Sequence, residues 1–178
     1  MVWLVLELAQ ADSAREKTYV GNFQLQLGAR KLTNANWGSA DVQPMLGLAF
    51  DMQWDSFPVG IDAGLSVSLS NLGGGESSVG EALLGIGKLW GVEGAPIRLY
   101  AAGGMAAEFA SLRVTAGKDS ASAVGGYVRA GGYYTLQPKP IAYMGLDLHY
   151  VLGANMILTG RRMDADGLAI TFSMGFEW

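Results

Sequence analysis

The 178-residue chain has no cysteine, one histidine and a charged fraction of only 16%. Without cysteine there is neither a disulfide framework nor thiolate chemistry, as suits a chain that crosses an oxidising compartment unfolded. Basic residues are sparse and scattered. Twelve Lys and Arg against sixteen Asp and Glu give a net charge of −4, so the concentrated positive surface that nucleic acid requires is missing. Soluble domains carry about a quarter charged residues, whereas here half of the residues are hydrophobic and 26 are glycine. Yet no run of about 18 to 20 uncharged apolar residues occurs, which excludes a spanning helix on length. The composition suits a membrane, but not a helical way of crossing it.

What the chain does contain is alternation. The ending Thr171-Phe172-Ser173-Met174-Gly175-Phe176-Glu177-Trp178 puts Phe172, Met174, Phe176 and Trp178 on one face of a strand and Thr171, Ser173, Gly175 and Glu177 on the other. About seven further runs repeat the pattern at a length that crosses a bilayer when tilted, roughly 9 to 11 residues. The first, near 22–31, opposes Phe23, Leu25, Leu27 and Ala29 to Gln24, Gln26, Gly28 and Arg30. The second, near 44–54, opposes Leu46, Leu48, Phe50, Met52 and Trp54 to Gly47, Ala49, Asp51 and Gln53. In the third, near 59–70, Val59, Ile61, Leu65, Val67 and Leu69 face away from Asp62, Ser66, Ser68 and Ser70. Helical spacing cannot produce that order. Later runs, near 80–90, 97–110, 124–136 and 141–153, place Glu81, Arg98, Glu108, Arg129, Asp147 and His149 on the polar side.

The connections alternate in length as well. Asp55 to Pro58, Gly91 to Pro96 and Gln137 to Pro140 are tight, whereas Lys31 to Gln43, Asn71 to Val79, Ser111 to Ala123 and Ala154 to Gly167 are longer and rich in Asn, Gly, Ser and Asp. Short turns on one rim and long loops on the other predict an all-β fold, an eight-stranded antiparallel up-and-down transmembrane β-barrel with periplasmic turns and extracellular loops. Trp54, Phe57, Trp90, Tyr134 and Trp178 would then form an aromatic girdle at the short-turn rim. A soluble barrel would have to cover its outside with the other face. The Gly60, Asp62, Gly64, Ser66, Ser68, Ser70 set carries one charge and no lysine, too little to protect a soluble exterior.

With these strands and the terminal Phe176-Glu177-Trp178, the chain resembles the small outer-membrane β-barrel proteins of Gram-negative bacteria, the group that includes the OmpA transmembrane domain, OmpX and OmpW. The resemblance implies location in the outer membrane, contact with its lipid and lipopolysaccharide, and a C-terminal signal at Phe176 and Trp178 for the barrel assembly machinery. In the domain reading, residues 1–11 are a signal-peptide remnant, ending in a small-x-small triplet after which a signal peptidase would cut. Residues 12–21 are an N-terminal periplasmic segment and 22–178 the barrel.

About eight strands enclose only enough space for side chains to fill. The expected lumen holds Arg30, Arg98 and Arg129 with Asp51, Asp62, Glu81, Glu108, Asp147 and His149, charges that must pair because unpaired ions in a dry interior are costly. Glu81 and Arg98, on neighbouring strands, share one inner surface. A non-enzymatic, monomeric barrel with a structural or surface-interaction role through its long loops is the reading that follows. The alternative is a narrow, porin-like path for small, apolar solutes, of the OmpW type. Some barrels of this group modify lipid A with a His, a Ser and an acid, but His149 is followed by Tyr150 and Val151 and faces the lumen, so no catalytic residue is expected.

No cofactor or metal is expected either. Gly85-Ile86-Gly87-Lys88-Leu89 lacks a phosphate loop's first glycine, at Ala82, and its Ser or Thr, at Leu89. Asp164-Ala165-Asp166-Gly167 is a turn rather than a calcium loop, and Gly73-Gly74-Gly75 is a flexible loop tip. Arg161 and Arg162, in the last long loop, are the candidate contacts to lipopolysaccharide phosphates, since guanidinium binds phosphate bidentately.

Overall fold

The structure is a computed structural model that describes residues 19–71, 76–91, 96–114, 117–138 and 141–177. The proposed leader and most of the N-terminal segment, the Gly73–Gly75 tip and Trp178 lie outside the described residues. Eight strands close into one antiparallel barrel: β1 (Tyr19–Leu32), β2 (Val42–Trp54), β3 (Gly60–Ser70), β4 (Glu76–Trp90), β5 (Ile97–Val114), β6 (Gly117–Pro138), β7 (Ile141–Leu152), then β8 (Asn155–Leu158) and β9 (Arg161–Asp164) as a separate hairpin, and β10 (Gly167–Glu177), which pairs with both β7 and β1. The only other regular element among the described residues is a 3-10 helix, Ala35–Ala40. Among the described residues no helix is long and apolar enough to cross a membrane.

Register follows the alternation read from sequence. Phe23 faces Phe176, Leu25 faces Met174 and Leu27 faces Phe172 across the seam that joins the first and last strands. Burial is inverted relative to a soluble domain. Leu65, Leu84, Met105 and Leu146 are each more than 60% exposed, while Asn22, Gln24, Glu108 and Asp147 are wholly buried. Water cannot be the solvent for that exterior, because a continuous apolar belt around a closed sheet is stable only against hydrocarbon.

Two connections differ from the sequence reading. Ser111 to Ala123 is not a loop: β5 runs on to Val114 and β6 starts at Gly117, so Leu112 pairs with Asp119 and Arg113 with Lys118. Its Ser, Lys and Asp residues are polar because the hairpin stands beyond the apolar belt, not because it lacks structure. The segment from Ala154 to Gly167 likewise contains a hairpin, β8–β9. Thr159 (φ 52) and Gly160 (φ 72) at its turn are both left-handed, the backbone of the tight turns that match strand twist.

Candidate functional site

The inward side chains form layers along the barrel axis. Nearest the short turns, Tyr133 stacks on Tyr143 with ring centroids 4.2 Å apart, and Tyr100 lies 6.4 Å from Tyr133. In this layer Arg98 is paired with Glu177, and Asp51 accepts from Asn22 at 2.7 Å. Glu81, expected to share a surface with Arg98, is not its partner. It sits opposite Glu108, further toward the loops, whereas Arg98 sits opposite Tyr133 near the turns.

The middle layer is organised by Arg129. Its Nε lies 2.6 Å from Asp147, its Nη1 2.8 Å from Asp62, and its Nη2 donates to Gln24 at 3.1 Å. The guanidinium also lies 5.0 Å from the centre of the Tyr100 ring, a cation–π distance. Tyr127 donates to the second Asp62 oxygen at 2.6 Å, and Tyr100 donates to Asp147.

Arg30 commands the next layer, with Glu81 at 3.1 Å, Glu108 at 2.7 Å and the Ala165 carbonyl at 2.6 Å. His149 joins the two layers: its Nε2 is 3.0 Å from Glu81 and its Nδ1 is 3.5 Å from Asp147. Glu81 and Glu108, directly paired on β4 and β5, would repel if nothing separated them. Arg30 from β1 reaches across the bore to hold both.

Above the charges lies a layer that the sequence reading missed. The β8–β9 hairpin turns Met156, Leu158 and Met163 onto Leu32, Val79, Leu83, Ala106, Ala110 and Val151 of the wall, and Trp37 from the 3-10 helix completes the cluster. The Trp37 indole N–H donates to the Asp164 carbonyl at 2.9 Å, and Asn36 donates to the Arg162 carbonyl at 2.7 Å. Asp166 anchors the hairpin's base by accepting from the backbone N–H of Gly153 (2.9 Å) and Ala154 (2.7 Å). The result is an apolar cap over the mouth. Replacing Trp37 by alanine is expected to loosen it by about 3–5 kcal/mol, read as faster tryptic cleavage after Arg161 or Arg162 while the barrel strands stay protected. Unchanged cleavage would show that the hairpin holds itself.

The nine lumen residues expected from sequence thus all point inward and all make polar contacts within it. Arg161 and Arg162 stand on the hairpin's exposed side, where Arg162 pairs with Asp164 at 3.1 Å. Trp54, Phe57, Trp90 and Tyr134 lie at the short-turn end, with Phe57 63% exposed in the turn after β2. Tyr19, opposite Trp54 and also exposed, joins them.

An ionic interior, an apolar exterior and a closed up-and-down sheet together define the eight-stranded β-barrel of the bacterial outer membrane. Solved structures agree on the fold. Neisserial surface protein A superposes with a TM-score of 0.63 at 7% identity, over 91% of this chain and 98% of that one. Ail, the attachment invasion locus protein of Yersinia pestis, gives 0.57 at 10% identity, over 90% and 97%. The N-terminal β-barrel domain of Pseudomonas aeruginosa OprF gives 0.53 at 11%, over 88% and 97%. No protein-family model and no curated protein matches the sequence.

Proposed function

We propose that this protein is a monomeric, non-enzymatic outer-membrane barrel with a closed lumen, whose role is structural or is exercised by the surface at its loop end. The observation that supports this reading is the continuous filling of the bore, from the Tyr133–Tyr143 stack through the Arg129 and Arg30 networks to the Met156, Leu158 and Met163 cap. A cavity of only about 20 Å³ beside Asp51, Asp62 and Tyr100 has room for about one water molecule. A surface role is also in keeping with two proteins of the same fold, one called a surface protein and the other an attachment invasion locus protein. Arg161 and Arg162, exposed on the cap, are the guanidiniums offered to lipopolysaccharide phosphates, and Phe176 on the outer face belongs to the signal for the assembly machinery.

Conductance tests this reading. The folded barrel in a planar bilayer is expected to be silent. Arg98→Ala is expected to leave it silent while destabilising it by about 3–5 kcal/mol, because a buried ion pair, Arg98 with Glu177, is broken by removing one member. Discrete, reproducible steps from the parent protein would instead assign a narrow solute path.

A further inference from the structure

The outer wall formed by β3 to β6 carries a groove unrelated to the lumen. Its rungs are set by register. Outermost, Glu76, Arg113 and Lys118 lie side by side on β4, β5 and β6. The next outward-facing rung toward the turns is Ser78, Ser111 and Ser120, then Gly80, Phe109 and Ser122, then Ala82, Ala107 and Val124. Charge gives way to hydroxyl and hydroxyl to hydrocarbon, in the order in which a bilayer changes from headgroup to acyl chain.

The wall is concave along this line. An apolar hollow of about 490 Å³ lies where Gly80 and Ala82 present little or no side chain beside Phe109, Leu65 and Val67. Phe109 is shared with a second hollow of about 520 Å³ lined by Ser111, Lys118, Ser120 and Ser122. Lys118 and Ser111 in turn belong to a third, of about 270 Å³, that also meets Arg113. Lys118 forms no ion pair among the described residues. Arg113 has, among the described residues, only a solvent-exposed contact with Glu76, 3.2 Å, which uses one guanidinium nitrogen and contributes little.

We propose that this groove binds one phosphate-bearing lipid of the outer leaflet, its phosphate held by Lys118, Arg113 and the serine hydroxyls and one acyl chain lying over Gly80 and Ala82. The proposal rests on the outer-membrane orientation argued above, with the loop end outward. Charge complementarity selects the headgroup, since ammonium, guanidinium and hydroxyl are all donors to phosphate oxygens. Glu76 is the one group on that rung that opposes an anion, and Arg113 neutralises it. The apolar hollow selects a lipid over free phosphate, because phosphate has no use for Gly80 or Phe109.

Native mass spectrometry of the detergent-folded barrel tests this, with a diphosphorylated acylated diglucosamine lipid, its phosphate-free form and inorganic phosphate as probes. One phosphorylated lipid is expected to be retained, more strongly than the phosphate-free form, and inorganic phosphate not at all. Lys118→Gln is expected to weaken retention about fivefold. Gly80→Leu is expected to weaken it as well by filling the hollow, and it should fold, because a Cβ at Gly80 comes no closer than 3.8 Å to any neighbour. Lys88→Gln, the same charge change at the short-turn end of β4, is expected to have no effect. Equal retention by parent, Lys118→Gln and Gly80→Leu, equal retention of the two lipid forms, or a second copy of the chain seated on the groove would each overturn the proposal. Heat-dependent gel mobility reports barrel folding separately. A folded barrel without lipid selectivity sinks this inference alone, whereas failure to fold in any detergent or bilayer sinks the membrane reading with it.

Discussion

Replacing Arg129 by methionine is expected to destabilise the folded barrel by about 3–5 kcal/mol, the cost of leaving buried carboxylates without their cation. The residue is 3% exposed, and its side chain holds Asp62, Asp147 and Gln24 at once. Urea midpoints in detergent, followed by the mobility difference between heated and unheated samples, would measure it. Adding Asp62→Asn and Asp147→Asn to Arg129→Met should recover much of the loss, because a neutral set leaves no ion unpaired. A midpoint within about 0.5 kcal/mol of the parent for the single variant would mean that water, not the protein, solvates Asp62 and Asp147.

The second large effect belongs to the seam between β1 and β10. A Cβ built at Gly175 would lie 2.0 Å from the Phe23 carbonyl oxygen, and one at Gly28 would lie 2.0 Å from that of Ile170. Both contacts are with backbone of the opposite strand, so no side-chain rotation relieves them. Gly175→Val is therefore expected to force the first and last strands apart and cost more than about 4 kcal/mol, seen as loss of the heat-sensitive folded band. Gly64→Ala supplies the contrast: it also faces inward, but its new Cβ would meet Leu83 at an ordinary 3.5 Å, so folding should be unaffected. If Gly175→Val folds like the parent, the seam is looser than the register of Gly175 against Gln24 implies.

Strand identity and strand polarity were legible because lipid and lumen impose opposite demands on neighbouring residues. Leu65 and Ser66, or Leu148 and His149, declare their faces without reference to any partner. Height along the bore was not legible, since period-two alternation fixes the side of a residue but not its level on the next strand. Alternation puts Arg98 and Glu81 on one inner surface, but only the register shows that they stand at different heights and that Glu177, on the last strand, is the partner of Arg98. The hairpin extension of β5 and β6 was hidden for a different reason. Above the belt no solvent contrast drives alternation, and Ser111, Asp119 and Ser120 read as loop although they pair as strand. The cap failed to show because Met156, Leu158 and Met163 come in runs too short to register as a strand. A signal existed: buried-type residues in an otherwise polar connection need something to pack on, and the barrel mouth is the nearest surface.

The seam also dictates how the chain can reach its final state. Asn22, near the start, has its lateral partner in Glu177, near the end, so the edges of β1 and β10 stay open until nearly the whole sequence is present. Inside hydrocarbon an open strand edge leaves a row of unsatisfied amides and carbonyls, each costing several kcal/mol. A half-inserted barrel is thus no resting place. The chain must be kept unstructured, or its edges shielded by another sheet, until both ends have arrived, and only then does the cylinder become self-sufficient.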